Sequence, residues 1–447
     1  MKKFKTVCLF VALTMIFVVM GVLFAGCTRY DETLIIYNWE DYIYSKQDLQ
    51  VDFNDYYLKK TGKTVKVRYT TFDTNETMLS KLINSNTVVD VICPSEYAIQ
   101  KLLVNNLLQK ITLQDEEPIS TLDNINQEIY SKVGNLFASE TGEVANINDY
   151  YVPYMMGTLG ILYNADIVTE DDLACGWGLL WNENNNPALN GKIYMKDSIR
   201  DSYAAAVLYL KEKGNLPAGY ETKSVQELIN DTSPTLLSAV DAVLKQQKSK
   251  LKGYEVDFGK QEMISGKVLV DLAWSGDAMY AIEEAELSGV NLEYFVPETG
   301  GNIWFDGWVI PTCAQNRAAA RAFIEFLNQP ETAVKNMIEI CYTSAVDKDV
   351  LAENQDVVSL LEEAEYNAQE FFADEVRYPN YADVNLGVMK DFGTNNTQVV
   401  SMWEGIKGSD TNLTALWIIL IVLGAVMITF AVIYTLRNTK RKVIKKK

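Results

Sequence analysis

The stretch Leu34-Ile35-Ile36-Tyr37, followed by Asn38-Trp39-Glu40-Asp41-Tyr42, opens the part of the chain whose pattern decides the fold. A short apolar run that ends in polar and aromatic residues is typical of a buried strand. Val65–Tyr69 alternates like a second strand, a helix is predicted from Asn75, and the run Val88–Cys93 predicts a third strand with a helix to Leu107. Because strands and helices alternate, the sequence predicts an α/β fold with a parallel sheet.

Further strands are predicted downstream, at Val268–Ala273 and Ile303–Ile310, with a helix at Arg317–Leu327 that ends before Pro330. Ligands of open parallel sheets bind beyond the carboxyl ends of the strands. A single aromatic residue at the end of a strand is usually part of the hydrophobic core. Here, however, several predicted strand ends carry aromatic, hydroxyl or carboxylate side chains. They are Trp39, Tyr42, Ser95, Tyr97, Trp274, Trp304 and Asp306.

The charge composition narrows the possible functions. The 447 residues include 40 basic, 59 acidic and no histidine. The chain therefore holds no Ser-His-Asp or Cys-His catalytic set and no histidine-ligated zinc site, and its acidic balance argues against nucleic acid as a partner. Without the ten cations of segments 1–27 and 413–447, 30 basic residues remain against 59 acidic ones, a net charge of −29. This charge suits cationic ligands, but a solubilising acidic surface explains it equally well.

The first segment, residues 1–27, has the pattern of a secretion signal. Three lysines precede an uncharged apolar run, and Ala25-Gly26-Cys27 follows. This ending resembles a bacterial lipobox, in which Cys27 is lipidated, although Phe24 stands where that motif usually has Leu. The run is also long enough for an uncleaved anchor. Whether Cys27 is lipidated or the segment is an uncleaved anchor, the body of the protein is expected to be exported.

The last segment has the pattern of a membrane anchor. Residues 413–436 carry no charge, and the basic tail 437–447 follows them. This pattern predicts a transmembrane helix with a cytoplasmic tail, which puts the body on the extracytoplasmic face of a cell membrane. The cysteines Cys93, Cys175, Cys313 and Cys341 are too far apart for a typical metal site, so no metal and no cofactor are expected.

Six short motifs, in this order, resemble the spermidine/putrescine-binding proteins of bacterial polyamine ABC transporters. Each motif is modest by itself, but together they follow the family's order at compatible spacing across residues 33–345. They are Tyr37–Tyr42, Thr74–Met78, Pro94–Tyr97, Pro153–Gly157, Lys196–Asp201 and Trp304–Asp306.

The resemblance implies a two-lobed periplasmic-binding-protein-like fold of type II, in which the chain crosses between the lobes near Gly157 and Trp304. It places lobe 1 at 33–157 and 305–345. Lobe 2 is expected at 158–304 and 346–410. The ligand is expected in the cleft between the lobes.

The resemblance also implies a ligand set. Aromatic faces would cover methylene groups and attract ammonium groups by cation–π contact, and carboxylates would hold the ammonium groups. The implied residues are Trp39, Tyr42, Ser95, Tyr97, Asp201, Trp274, Trp304, Asp306 and Tyr342.

Three further acids are possible ligand residues, because they stand where relatives carry other side chains: Glu40, Asp197 and Asp277. Glu40 with Asp41 could equally cap the following turn. Asp197 and Asp201 could also be only a solvated helix start.

The functional hypothesis is a membrane-tethered binding component of an ABC importer, which binds putrescine or spermidine and delivers it to permease subunits. The chain is then not an enzyme. One alternative is a carboxylate-dependent glycoside hydrolase, whose chemistry needs two acids and no histidine. Another is a membrane-anchored polyamine sensor that signals through a partner.

Overall fold

The computed structural model describes residues 30–85, 87–127, 130–131, 133–134, 146–379 and 385–408. The predicted signal or lipid anchor at 1–27 with Cys27, the predicted transmembrane helix at 413–436 and the tail at 437–447 lie outside these ranges. Within them, no helix is both long and apolar enough to cross a membrane.

The strands have these bounds: β1 Glu32–Trp39, β2 Val65–Phe72, β3 Val91–Ile92, β4 Leu108–Gln109, β5 Tyr151–Asn164, β6 Ile193–Lys196, β7 Leu251–Glu255, β8 Val270–Trp274, β9 Leu292–Phe295, β10 Gly301–Pro311, β11 Thr343–Ser344 and β12 Leu386–Gly387.

The α-helices follow the strands in an alternating order along most of the chain. They are α1 Lys46–Thr61, α2 Asn75–Asn84, α3 Glu96–Val104, α4 Glu170–Leu173, α5 Ile199–Glu212, α6 Val225–Leu228, α7 Pro234–Gln247, α8 Gly259–Ile264, α9 Ser275–Leu287, α10 Arg317–Leu327, α11 Pro330–Ile340, α12 Lys348–Glu353, α13 Gln355–Glu363, α14 Ala368–Ala373 and α15 Asn396–Gly408. Most of α15 belongs to a separate compact unit from residue 397 onward.

The sheet has two parallel parts joined by two long antiparallel strands. Its order is β2-β1-β3-β10-β5-β8-β6-β7. The strands β2, β1 and β3 run parallel, and so do β8, β6 and β7. Between them, β5 and β10 pair antiparallel, with Trp304 opposite Gly157, and both strands are buried along their whole length. The predicted α/β fold of two lobes is therefore present, with β5 and β10 shared between its halves.

Helices cover the first parallel part on both faces. Leu34 of β1 and Phe53 of α1 lie in one buried cluster with Phe323 of α10. On the other face, Met78 of α2 and Ile99 of α3 lie in a second cluster. Burial on both faces is typical of parallel sheets, whose strands are near-continuous apolar runs.

The predicted third strand is wrong in its extent. The run Val88–Cys93 was expected to be extended, but β3 covers only Val91 and Ile92. The carboxylate of Asp90 accepts the amide of Ile35 at 2.8 Å, as well as the amides of Gln315 and Asn316. The amide of Ile35 thus donates to a side chain, where a longer third strand would offer it a backbone carbonyl.

The carboxyl-terminal helices pack against the first lobe. Val357 and Leu361 of α13 and Phe371 and Phe372 of α14 lie in the same buried cluster as Leu34. This packing does not favour the expected placement of segment 346–410 in the second lobe. The lobe boundaries stay a prediction.

Candidate ligand-binding site

Asp306 lies at an irregularity of β10. The register with β5 shifts between Asp306 and Gly307. Asp306 forms an isolated antiparallel bridge with Ser95, and the amide of Gly307 donates to the carbonyl of Pro94 at 3.1 Å. Such irregularities re-aim side chains. Here the irregularity places Asp306 beside the segment between β3 and α3.

The Asp306 carboxylate is buried without a cation beside it. Its residue is 5% exposed, and among the described residues no Lys or Arg forms an ion pair with it. The pKa of Asp306 is raised to about 7, chiefly by burial and to a smaller extent by Asp201, while hydrogen bonds from the hydroxyls of Ser95 and Tyr42 oppose the rise. Because an unpaired buried anion is costly, this position favours a cationic ligand.

Aromatic residues lie near this carboxylate, since Tyr42 hydrogen-bonds to it and Tyr342 interacts with it. The ring centroids of Tyr42 and Tyr342 are 5.0 Å apart, and those of Tyr342 and Trp304 are 5.6 Å apart, both pairs edge to face. Two glycines permit this packing. A Cβ atom at Gly276 would lie 2.3 Å from the ring of Tyr342, and one at Gly157 would lie 2.5 Å from the indole of Trp304.

Several polar atoms of this region are buried and lack a hydrogen-bond partner. Buried polar groups are normally paired, so each exception points to a missing partner. Within the described ranges these atoms include Trp39 Nε1, Trp304 Nε1 and Asp306 Oδ1. These three residues belong to the ligand set expected from the sequence, whereas Glu96 Oε1 and Arg200 Nε, which also lack a partner, do not.

Asp201 is another buried acid, and its charge contributes to the raised pKa of Asp306. It lies in the first turn of α5, where the positive end of the helix favours an anion. Burial raises its pKa, while hydrogen bonds from Ser198 and Trp274 oppose the rise. Trp274 ends β8, and the ammonium of Lys196 lies 4.3 Å from the centroid of its ring.

Ser95 and Tyr97 share one partner. The Nδ2 atom of Asn75 donates to Ser95 Oγ at 3.0 Å and to Tyr97 Oη at 2.9 Å. The guanidinium of Arg200 lies 3.8 Å from the Tyr97 ring centroid. One face of Tyr97 is therefore covered by a cation from α5.

The three possible ligand acids each have contacts within the protein. Glu40 is exposed and pairs with Lys46 at 3.4 Å. The amide of Asp197 donates to the carbonyl of Glu255 at 2.6 Å. Asp277 is buried and pairs with Lys260 at 3.1 Å, and its pKa is lowered despite its burial.

Sequence reasoning missed four charged residues here: Glu96, Lys196, Arg200 and Lys260. Glu96 accepts the amide of Phe305 at 3.0 Å, and burial raises its pKa to about 8. Lys196 and Arg200 lie within the motif Lys196–Asp201. Their positive charges next to the predicted ligand acids were the sign in the sequence that could have identified them. No such sign was present for Lys260, because its partner Asp277 lies on a different helix.

The described residues include no cluster of three or more Cys, Asp or Glu placed to hold a metal ion. Cys93, Cys175, Cys313 and Cys341 are free thiols. Cys93 and Cys341 are buried.

The fold and the site define a class: a two-lobed α/β binding protein with a buried acidic and aromatic site where its halves meet. Residues 52–358, more than half of the chain, match the family described as bacterial extracellular solute-binding protein. The chain belongs to this family.

Relatives and solved structures agree with this assignment. The chain is 27% identical over 304 residues to a spermidine/putrescine-binding periplasmic protein of Salmonella typhimurium, covering 68% of this chain and 74% of that one. It is 29% identical over 312 residues to a putrescine-binding periplasmic protein of Pseudomonas aeruginosa, covering 67% and 75%. A structure described as a spermidine/putrescine ABC transporter from Listeria monocytogenes matches with a TM-score of 0.64 and 29% identity, covering 84% and 98%.

These findings bear on the alternatives. The relatives are solute-binding proteins and not enzymes, so the prediction that the chain is not an enzyme is confirmed. The glycoside hydrolase and the sensor are not favoured. The predicted periplasmic-binding-protein-like fold and the resemblance to the polyamine-binding family are also confirmed.

Proposed function

We propose that the protein binds a polyamine, putrescine or spermidine, in the cleft around Asp306 as the extracytoplasmic binding component of an ABC importer. The observation that carries this proposal is the buried carboxylate of Asp306, which has aromatic neighbours and no ion-pair partner among the described residues. The relatives from Salmonella typhimurium and Pseudomonas aeruginosa are named as binding proteins for the same ligands, which supports the proposal.

The chemistry of a polyamine fits these side chains. Its ammonium groups would meet Asp306 and Asp201, forming charge-assisted hydrogen bonds. Its methylene groups would lie against Trp304, Tyr42 and Tyr342, whose rings also attract cations, worth up to about 2 kcal/mol where water is excluded. The remaining ligand residues, Trp39, Ser95, Tyr97 and Trp274, are proposed on the resemblance and on their positions at the carboxyl ends of strands.

The proposed transport role requires two partners, the polyamine and the permease subunits. Tethering to the cell membrane is part of the proposal and rests on sequence alone. The support is the lipobox-like ending at Cys27 and the uncharged segment 413–436 before the basic tail. A tether would raise the effective concentration of the binding protein near its permease.

Titration calorimetry of the full chain in detergent tests the binding. We expect heat of binding with putrescine or spermidine at micromolar concentrations and none with a neutral diol of equal length. Absence of heat with both amines would contradict the proposal. Carbonate extraction of membranes, with mass spectrometry of the mature amino terminus, separately tests the tether and the lipidation of Cys27.

A further inference from the structure

The carboxyl group of Glu96 takes the place of a strand partner beside β10. Glu96 lies in the first turn of α3, and its Oε2 atom accepts the amide of Phe305 at 3.0 Å. Ser95 forms the bridge to Asp306, and the carbonyl before it accepts the next amide of β10 at 3.1 Å. Residues 94–96 therefore hold three consecutive residues of β10.

This edge of β10 has few other backbone partners. β12 pairs with it up to Asn302 and β3 pairs with it at Val309, so within the described ranges no strand covers 303–308 on this side. On the other side β5 pairs along this stretch, but the register shifts between Asp306 and Gly307. The contacts from the start of α3 therefore hold the backbone where β10 is irregular.

The hydrogen bond of Glu96 is to the backbone next to Asp306. Successive side chains of a strand point to opposite faces. Phe305 packs in the second buried cluster, whereas Trp304 lies in the first cluster with Tyr42 and Tyr342. Glu96 thus holds the strand at its edge, while the face that carries Trp304 stays available to the ligand.

The position of Glu96 is costly for the fold. It is 1% exposed, and within the described residues its Oε1 atom has no hydrogen-bond partner and no lysine or arginine pairs with it. Burial raises its pKa to about 8, the amide of Phe305 opposes the rise, and Asp306 of β10 and Arg200 of α5 make smaller contributions of opposite sign. Glu96 in turn acts on the hydroxyl of Tyr151 in β5. A carboxyl group kept at such a cost beside a binding site is typical of a functional residue.

We propose that Glu96 is a positioning residue of the ligand site. Its carboxyl oxygen holds the amide of Phe305, and this bond keeps the backbone of β10 where the Asp306 carboxylate meets an ammonium group of the ligand. The inference rests on the proposed function, because it takes Asp306 as a ligand residue. The position requires an acceptor atom at the right reach and not a negative charge.

Two substitutions separate the acceptor from the charge. Glu96→Gln keeps an oxygen for the amide of Phe305, so we expect polyamine affinity within about twofold of wild type. Glu96→Leu has a similar size and no acceptor. We expect its affinity to be at least about fivefold lower, since a carboxylate that moves with its strand makes a poorer charge-assisted contact.

Calorimetry of the full chain in detergent with putrescine and spermidine, well below the melting temperature of each variant, measures these affinities. Equal losses in Glu96→Gln and Glu96→Leu, or no loss in Glu96→Leu, overturn the inference. The matched control is Glu363→Leu, which changes an exposed acid at the end of α13 and should leave the affinity unchanged.

Glu96→Asp carries the test if Glu96→Leu does not fold. It keeps the carboxylate on a side chain one methylene shorter, which falls short of the amide of Phe305. We expect the same loss of affinity, at least about fivefold, and wild-type affinity in Glu96→Asp overturns the inference.

A double-mutant cycle distinguishes positioning of Asp306 from a general weakening of the fold. If Glu96 acts through Asp306, the loss of affinity in Glu96→Leu or Glu96→Asp should largely vanish in the Asp306→Asn background, because the contact that it positions is already absent. A loss of equal size in both backgrounds overturns the positioning role and leaves the proposed function standing. If the wild-type chain binds neither amine, the proposed function itself fails.

Discussion

Trp304 pairs with Gly157 across β10 and β5, and a Cβ atom at position 157 would lie 2.5 Å from Cζ2 of the indole. The absence of a side chain on one strand thus makes room for the aromatic ring on the other. Glycine inside a strand often marks such a close approach. The pair lies where the two long strands pass between the halves of the molecule, so the packing of the strands also positions the site.

Gly157→Ala should therefore weaken both the fold and the site. The added methyl group would displace Trp304 or the hydroxyl of Ser275, and overpacking of this kind costs about 1–3 kcal/mol. We expect a lower free energy of unfolding in urea and weaker polyamine binding. Gly253→Ala is the matched control, because its Cβ would make only an ordinary contact at 3.5 Å with Tyr194. Equal behaviour of the two variants would contradict this account.

Asp306→Asn should lower polyamine affinity by at least about tenfold, since a charge-assisted contact is lost. The fold should survive, because the variant removes a buried charge without changing the size of the side chain. Calorimetry measures the affinity and thermal melting of the empty protein checks the fold. Asp241→Asn, which changes a partly exposed acid on α7 that pairs with Lys245, is the control. Unchanged affinity in Asp306→Asn would remove this residue from the site.

Polyamine affinity should fall as the pH falls from 8 to 6. The pKa of Asp306 in the empty protein is about 7, and a bound ammonium favours the ionised carboxylate. Protonation therefore competes with the ligand, and the dissociation constant should rise by up to about tenfold per pH unit below the pKa. Calorimetry across this range measures the slope. Asp306→Asn should bind weakly with a flatter profile, and a wild-type profile equally flat would contradict the prediction.

The stability of the empty protein should change with pH in the opposite direction. Burial raises the pKa of Glu96 from 4.5 to about 8 and that of Asp306 from 3.8 to about 7. The folded state thus binds more protons than the unfolded state between about pH 4 and 8, so the free energy of unfolding falls as the pH rises through this window. Glu96→Gln keeps an acceptor for the amide of Phe305 and should reduce this slope. Urea unfolding at pH 5.5 and 8 compares the variant with wild type, and identical slopes would argue against a buried, protonated Glu96.

Lys196→Met should be strongly destabilising. Lys196 pairs with Glu255 and Asp277 inside the second lobe, and Asp271 adds a third buried acid nearby. Removing one partner of a buried network leaves uncompensated charge, which costs about 3–5 kcal/mol. Lys252→Met breaks an exposed pair with Glu262 and should cost at most about 1 kcal/mol. Chemical unfolding distinguishes the two, and similar losses would mean that the network around Lys196 is well hydrated.

Much of the fold was predictable, because it follows from local patterns of apolar and polar residues in the sequence. The alternation of apolar runs and helical stretches indicated the two parallel parts of the sheet, although not the antiparallel strands β5 and β10 between them. The strand that ends at Trp39 and the helix Arg317–Leu327 lie where expected. The extent of β3 was not predictable, since Asp90 bonds to backbone amides more than fifty residues away in both directions. The packing of α13 and α14 on the first lobe depends on similarly distant contacts.

The sequence by itself indicated the candidate ligand side chains, but strand order and direction did not follow from the alternating pattern, and Trp304 and Asp306 lie inside β10 instead of at a strand end. The sequence also determined the absence of histidine and the acidic balance. Only the tertiary structure decided which acids remain without a cation. Asp277 meets Lys196, and Glu76 meets Arg200, across long stretches of chain, whereas Asp306 lies near aromatic residues. Burial and charge pairing depend on the three-dimensional surroundings of a group, and a linear pattern does not contain them.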